Sequence, residues 1–100
     1  MTNHVAWVYI LSTRTRSVLY TGSTTDLPAR TWEHVTKQNP SSFTARYKVN
    51  RLVYYQGFLS VDEARAAEKY IKGKNRAWKI TLITKHNPKW LDLRDELKSL

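Results

Sequence analysis

Two runs of aromatic and β-branched residues lie near the start of the chain, Ala6 to Leu11 and Val18 to Thr21, with only the polar stretch Ser12 to Ser17 between them. Runs of this kind favour extended backbone, and so short a polar connection pairs them as an antiparallel hairpin. Gly22 is expected to stop the second strand. If the turn is centred between Arg14 and Thr15, Tyr9 lies directly across from Tyr20 and both phenols point to one face. The hairpin is the first layer of the fold, and the rest of the chain must pack on it or extend it.

Ser23 to Asp26 reads as a loop that leads into a helix. Asp26 is the N-cap, Pro28 suits the first turn, and the helix is expected from about Leu27 to Thr36 or Lys37. Leu27, Thr31 and Val35 form its inward stripe, and Arg30 and His34 share the face beside that stripe. Asn39-Pro40-Ser41-Ser42 breaks the helix. Leu52 to Tyr55 is a third strand that ends near Gly57. Ser60-Val61-Asp62-Glu63 is a capping box, followed by a helical stripe of Val61, Ala64, Ala67 and Ile71. Gly73 is expected to weaken or kink this helix. Arg76 to Thr84 resumes a helical pattern with Trp78 and Leu82 spaced to pack, and Asn87-Pro88 stops it. A last short turn carries Trp90 and Leu93. The order β-β-α-β-α-α predicts an α+β fold, a small antiparallel sheet flanked by helices.

Length and charge narrow the function classes. With 100 residues the chain suffices for one compact domain and is too short for two. Hydrophobic residues at 41% and charged residues at 25% are globular proportions, which argues against disorder. The lack of cysteine excludes disulfides and cysteine-based zinc sites. Lys and Arg number 17 against 8 Asp and Glu, a net charge of +9, so polyanions are the expected partners and nucleic acid the commonest of them. No segment joins a basic face to a broad apolar face, and no apolar run approaches spanning length, so no membrane role is expected. The opening Met1-Thr2-Asn3-His4 lacks a signal-peptide pattern, which makes a cytoplasmic location the expectation.

Several side chains have the chemistry to act on a phosphodiester. Glu68 borders the apolar stripe of the second helix, where a carboxylate is costly unless it is paired or binds a metal. A salt bridge to one of the many Lys and Arg residues is the structural alternative. Arg30 offers a planar fork for phosphate oxygens, and His34 one turn on can hold or move a proton. Tyr9 and Tyr20 can orient a water, or can simply be a cross-strand pair. Gly22 allows close backbone approach. Trp78 and Trp90 read as core, whereas Trp32 is on the polar side of its helix.

In order, these residues resemble the GIY-YIG nuclease superfamily. The first tripeptide stands as Trp7-Val8-Tyr9, the second as Tyr20-Thr21-Gly22. Thr25-Asp26-Leu27 follows, then Arg30 and His34 in the pattern R-x-x-x-H, then Glu68-Lys69-x-Ile71-Lys72, and Asn87-Pro88-x-Trp90 closes the match. Ser42 to Tyr47 and Arg51 to Tyr55 are similar to the small stand-alone bacterial branch, and the whole match runs from about Val5 to Leu93.

The resemblance implies a three-stranded antiparallel sheet and metal-dependent endonucleolytic hydrolysis of DNA with one divalent ion, Mg2+ or Mn2+. It implies that Glu68 binds the metal, that Arg30 steadies the charged transition state, and that Tyr9 and Tyr20 position the attacking water, one of them as general base. His34 would assist proton transfer, Gly22 and Asn87 would support the site, and Arg46 and Lys48 would contact the nucleic acid. Trp7 and Thr21 replace the glycine and isoleucine of the name motifs without touching the chemistry. Ser23 stands where some active relatives carry a lysine, and Lys48 is one base that can substitute for it. Without a second DNA-binding domain, low sequence specificity is expected, with targeting left to a protein partner. A non-catalytic nucleic-acid-binding module that keeps the fold is the alternative.

Overall fold

Every residue of the first strand, β1 (Ala6–Ser12), is buried, which explains why its sequence is continuously apolar rather than alternating. This computed structural model describes residues 3–36 and 46–99, the side chains of 34–36 and 98–99 excepted. Within it β1 is the centre of a three-stranded antiparallel sheet, flanked by β2 (Leu19–Thr24) and β3 (Arg51–Phe58) in the order β2-β1-β3. Three helices follow the expected order: α1 (Leu27–Thr36) between β2 and β3, then α2 (Val61–Lys72) and α3 (Arg76–His86). A 3-10 segment, Leu93–Ser99, closes the chain.

The strand's alternation sorts its side chains into two cores. Trp7, Tyr9 and Leu11 face Leu27 of α1, Val49, Leu52 and Leu97. Val8 and Ile10 face Val53 and Tyr54, Ile71 of α2, Ile83 of α3, and Trp90. Full burial of a side chain of this size contributes about 1.5–3 kcal/mol, so covering both faces is what makes so short a sheet stable.

The helix ends are set by local chemistry. The Asp26 carboxylate accepts from the Ala29 amide at 3.1 Å, as expected of an N-cap. Ser60 caps α2 by accepting from the Glu63 amide at 3.1 Å, and its hydroxyl also reaches the Glu63 carboxylate at 3.1 Å. Gly73 does not kink a helix: it terminates α2, and Asn75 starts α3 by accepting from the Trp78 amide at 2.8 Å. Of the expected α2 stripe, Ala64 and Ile71 are buried, but Val61, in the first turn, is 36% exposed. The helix break read at Asn39 to Ser42 lies outside the described residues.

Two registers differ from expectation. Tyr9 pairs with Gly22, and Tyr20 pairs with Leu11. The hairpin is thus offset by two residues from a turn centred at Arg14-Thr15. A two-residue slip preserves the face, so both tyrosines still lie on the same side. Gly22 accordingly sits inside β2 rather than at its end. In β3, Leu11 pairs with Leu52 but Ile10 with Tyr54, which leaves Val53 as the extra residue of a bulge.

Candidate active site at the β2 edge

Gly22 is the pivot of the site. Directly across from it, Tyr9 lays its ring over the glycine, and a Cβ at Gly22 would come within 2.5 Å of the Tyr9 hydroxyl oxygen. The missing side chain is what lets a fully buried tyrosine project its hydroxyl to the edge strand. Tyr20 follows on the same face, its ring centroid 6.3 Å from that of Tyr9.

Helix α1 brings Arg30 to the same place. Its guanidinium donates to the Tyr9 hydroxyl and pairs with Glu33 at 3.5 Å. Burial, and after it the neighbouring Tyr20, push the Tyr9 phenol well above its ordinary range, while Arg30 pulls the other way without prevailing. Tyr9 is therefore a neutral hydrogen-bonding group across the physiological range.

Glu68 arrives from the opposite face of the sheet. Alternation along β2 turns Ser23 away from the Tyr9 side, and the Ser23 hydroxyl donates to Glu68 Oε1 from α2. Lys72, one turn further along α2, contacts Glu68 Oε2 at 2.5 Å. Burial raises the affinity of Glu68 for its proton, but the contacts from Lys72 and Ser23, aided by Arg65, outweigh that and hold the carboxyl below its usual range. Glu68 is therefore ionised at neutral pH and only 22% exposed. Glu68, bonded to Ser23, and Tyr9, across from Gly22, thus approach neighbouring positions of β2 from its two faces. A cleft of about 240 Å³ opens beside them, lined by Ser23, Thr24, Thr25, Arg30 and Arg65 among others.

Such a donor set suits a hard divalent cation. One ionised carboxylate with hydroxyl groups nearby matches an ion that keeps several waters and shares its remaining positions with substrate phosphate. Among the described residues no cluster of three or more His, Cys, Asp or Glu side chains forms; Glu68 is the carboxylate bonded to β2, while Glu33 is paired with Arg30. Lys72, half exposed on a flexible stem, is the group an incoming cation would displace.

A family model described as the GIY-YIG catalytic domain matches residues 5–81. The chain belongs to the GIY-YIG family. It is similar to a UPF0213 protein of Streptococcus pneumoniae serotype 4, with 36% identity over 84% of this chain and 83% of that one. It is similar also to a UPF0213 protein of Streptococcus agalactiae serotype V, with 38% identity over 81% of this chain and 90% of the relative. Among solved structures it matches the solution NMR structure of a UPF0213 protein from Bacillus halodurans, with a TM-score of 0.55, 30% identity, and coverage of 87% and 90% of the two chains. Membership of a GIY-YIG catalytic family implies nuclease activity in general terms.

Of the expected site residues, Tyr9, Tyr20, Gly22 and Arg30 lie together on one face of β2, and Glu68 reaches Ser23 from the other. His34 lies on α1, and its side chain is outside what the structure describes. Asn87 is not beside Glu68. Its side-chain amide donates to the Val53 carbonyl at 3.0 Å and to the Leu91 carbonyl at 2.9 Å, and its oxygen accepts from the Leu91 amide at 3.0 Å. It satisfies the bulge of β3, across the sheet from the β2 edge, so its role there is structural. Arg46 and Lys48 precede β3 at the far end of the sheet, and Lys48 lines a different cleft. Conversely, Arg65 and Lys72 bracket Glu68 on one helix face at spacings of three and four residues, a signal that the sequence held but that pointed equally to a solvated basic face. No helix among the described residues is long and apolar enough to cross a membrane.

Proposed function

We propose that this GIY-YIG domain is a divalent-metal-dependent endonuclease that cleaves DNA phosphodiesters with little sequence preference. The observation that supports it most directly is that Tyr9 and Glu68 reach adjacent residues of β2, Gly22 and Ser23, beside a cleft lined by Ser23, Arg30 and Arg65. A bound Mg2+ or Mn2+ on Glu68 would supply charge neutralisation at the phosphate and the leaving oxygen. The remaining roles belong to the chain. Arg30 places its fork against the phosphate oxygens as negative charge accumulates there. Tyr9, kept neutral by burial, orients the attacking water rather than taking its proton unaided. Tyr20 borders the same point from β2, the more open of the two phenols, and offers a second hydroxyl to orient that water. As the water oxygen bonds to phosphorus and gives its proton up to solvent, the ester P–O bond breaks and the leaving oxygen takes a proton from bulk water. Lys72 compensates for Ser23: the cation that some relatives carry at that strand position is here supplied from α2. Backbone recognition by Arg and Lys gives salt-sensitive binding with little sequence preference.

The engagement of both Glu68 oxygens by Ser23 and Lys72 favours a second reading, a nucleic-acid-binding module that has kept the fold without catalysis. A nicking assay on supercoiled and branched DNA separates the two. Cleavage that requires Mg2+ or Mn2+ and disappears in Glu68→Ala supports the nuclease. Salt-sensitive binding with no cleavage, indifferent to Glu68→Ala, supports the module.

A further inference from the structure

A larger cleft than the one at the β2 edge lies elsewhere in the molecule. It measures about 540 Å³ and lies at the hairpin end of the sheet, between the turn that joins β1 to β2, the segment entering β3, and the start of the 3-10 segment. Arg14, Lys48, Arg51 and Arg94 line it, with Asp92 as the acidic group among them. Asp92 is committed to Arg94 at 2.7 Å. No ion pair reaches Arg14 or Lys48 among the described residues. Tyr47, 49% exposed, forms part of the same wall, with the Arg46 guanidinium 5.8 Å from its ring centre. A second, smaller cleft shares Thr13, Arg14 and Arg51 and adds Arg16, Lys89 and Trp90, so the basic surface continues around the hairpin tip.

This end of the molecule is held in shape by specific contacts. The Thr13 hydroxyl accepts from the Ser17 amide at 2.9 Å and from the Val18 amide at 3.3 Å, closing the turn. The Arg16 carbonyl accepts from Arg76 of α3, and the Arg16 guanidinium stacks 5.0 Å from the centre of the Trp90 ring. Among the described residues the non-glycine positions with positive φ are Arg16 (64°), Lys48 (57°) and Trp90 (52°). All three line these two clefts and none lines the β2-edge cleft. Left-handed backbone at non-glycine residues is unfavourable and persists where the surroundings impose it, commonly at binding sites. A rigid turn, uncompensated cations and an exposed aromatic ring are the components with which proteins grip a nucleic-acid strand.

We infer that the hairpin-tip cleft is a second nucleic-acid site, separate from the site of cleavage. It takes the flank of a bound strand, its phosphates on Arg14, Lys48 and Arg51 and one unpaired base stacked on Tyr47. The inference rests on the nucleic-acid part of the proposed function but not on cleavage. Along β1, the span from Ala6 beside the first cleft to Ser12 beside the second is roughly 20 Å. At about 3.4 Å per phosphate of a stacked strand, that is roughly six nucleotides between the two sites.

Fluorescence anisotropy in EDTA, where no metal-dependent cleavage occurs, tests this with two probes: a blunt duplex and the same duplex carrying an unpaired tail of about ten nucleotides, within the footprint of such grooves. The wild-type protein binds the tailed probe more tightly. Tyr47→Ala removes that advantage, lowering affinity for the tailed probe roughly tenfold, and leaves the blunt duplex unchanged, while Tyr47→Phe retains it. Arg14→Ala lowers the slope of log affinity against log salt by about one. Equal affinity for the two probes in the wild type, or a Tyr47→Ala protein that binds both as the wild type does, overturns the inference. A wild type that prefers the tail yet never cleaves DNA with Mg2+ or Mn2+ overturns the nuclease reading and leaves this one standing.

Discussion

The two ends of the sheet solve opposite problems. At the β2 edge each group is held by a neighbour: Tyr9 is fully buried, Arg30 is bonded to it, and Glu68 is tied on both oxygens. At the hairpin tip the side chains are exposed, the charge is nearly all positive, and the unfavourable geometry is in the backbone. Chemistry on a phosphate needs prealigned partners whose protonation states are fixed by their neighbours, and burial fixes them. Holding a flexible polyanion needs a positive field and one stacking surface, for which exposure is no handicap.

Substitutions at the two ends should therefore fail in different ways. The largest effect is expected from Arg30→Lys. It keeps the charge but loses the fork that reaches Tyr9 and the phosphate together. Single-turnover cleavage with saturating protein should fall about 10²–10³-fold, while affinity for DNA changes little. A drop confined to affinity would move Arg30 into the class of binding residues. Next is Gly22→Ala, whose new methyl group would meet the Tyr9 hydroxyl at 2.5 Å. Thermal or urea unfolding should show a loss of about 1–3 kcal/mol, typical of overpacking, with cleavage lost as well because Tyr9 must shift. Unchanged stability would mean that the tyrosine has room to move.

Much of this contrast, though not all of it, is legible in the chain. The strands, the helix order and both N-caps follow from composition, periodicity and capping residues, all local signals. The convergence of Tyr9, Arg30 and Glu68 was legible only as an ordered motif, because no spacing rule carries a residue of α2 across the sheet to one on β1. The hairpin register was not legible: its turn is closed by the Thr13 hydroxyl, a side-chain device that does not mark a centre in the sequence. The partner of Asn87 was not legible, because the bulge it satisfies at Val53 exists only once β3 is paired. Lys48 was expected to contact nucleic acid, but the cleft around it was not legible because its walls come from segments distant in sequence and Arg14 alone looks like any solvated cation.

A smaller effect is expected at Thr21, which occupies the isoleucine position of the second name motif. Its hydroxyl is buried and, among the described residues, has no hydrogen-bond partner. Thr21→Val exchanges that hydroxyl for a methyl group of the same shape and should stabilise the fold by about 1 kcal/mol. A destabilised variant in the same unfolding experiment would indicate an ordered water at that hydroxyl. The smallest effect concerns acid. The folded-state pKa of Glu68 lies below its ordinary value of 4.5, so the unfolded chain takes up the proton first as pH falls. The stability contributed by the ionised carboxylate is complete above that value and is lost below it. Between pH 6 and pH 3, roughly the range of carboxyl titration, wild-type stability should fall more steeply than that of Glu68→Gln. Parallel pH profiles would show that the contacts from Lys72 and Ser23 do not persist in solution.

The division of labour between the two ends is tested most directly by titrating Mn2+ into the isotopically labelled protein and following paramagnetic broadening of its backbone amide signals. Broadening is expected to centre on Ser23, Glu68 and Lys72, to extend to Tyr9 and Arg30, to be absent in Glu68→Gln, and to spare Thr13 to Ser17. Broadening that centres on the hairpin tip, or that survives unchanged in Glu68→Gln, would contradict that division of labour.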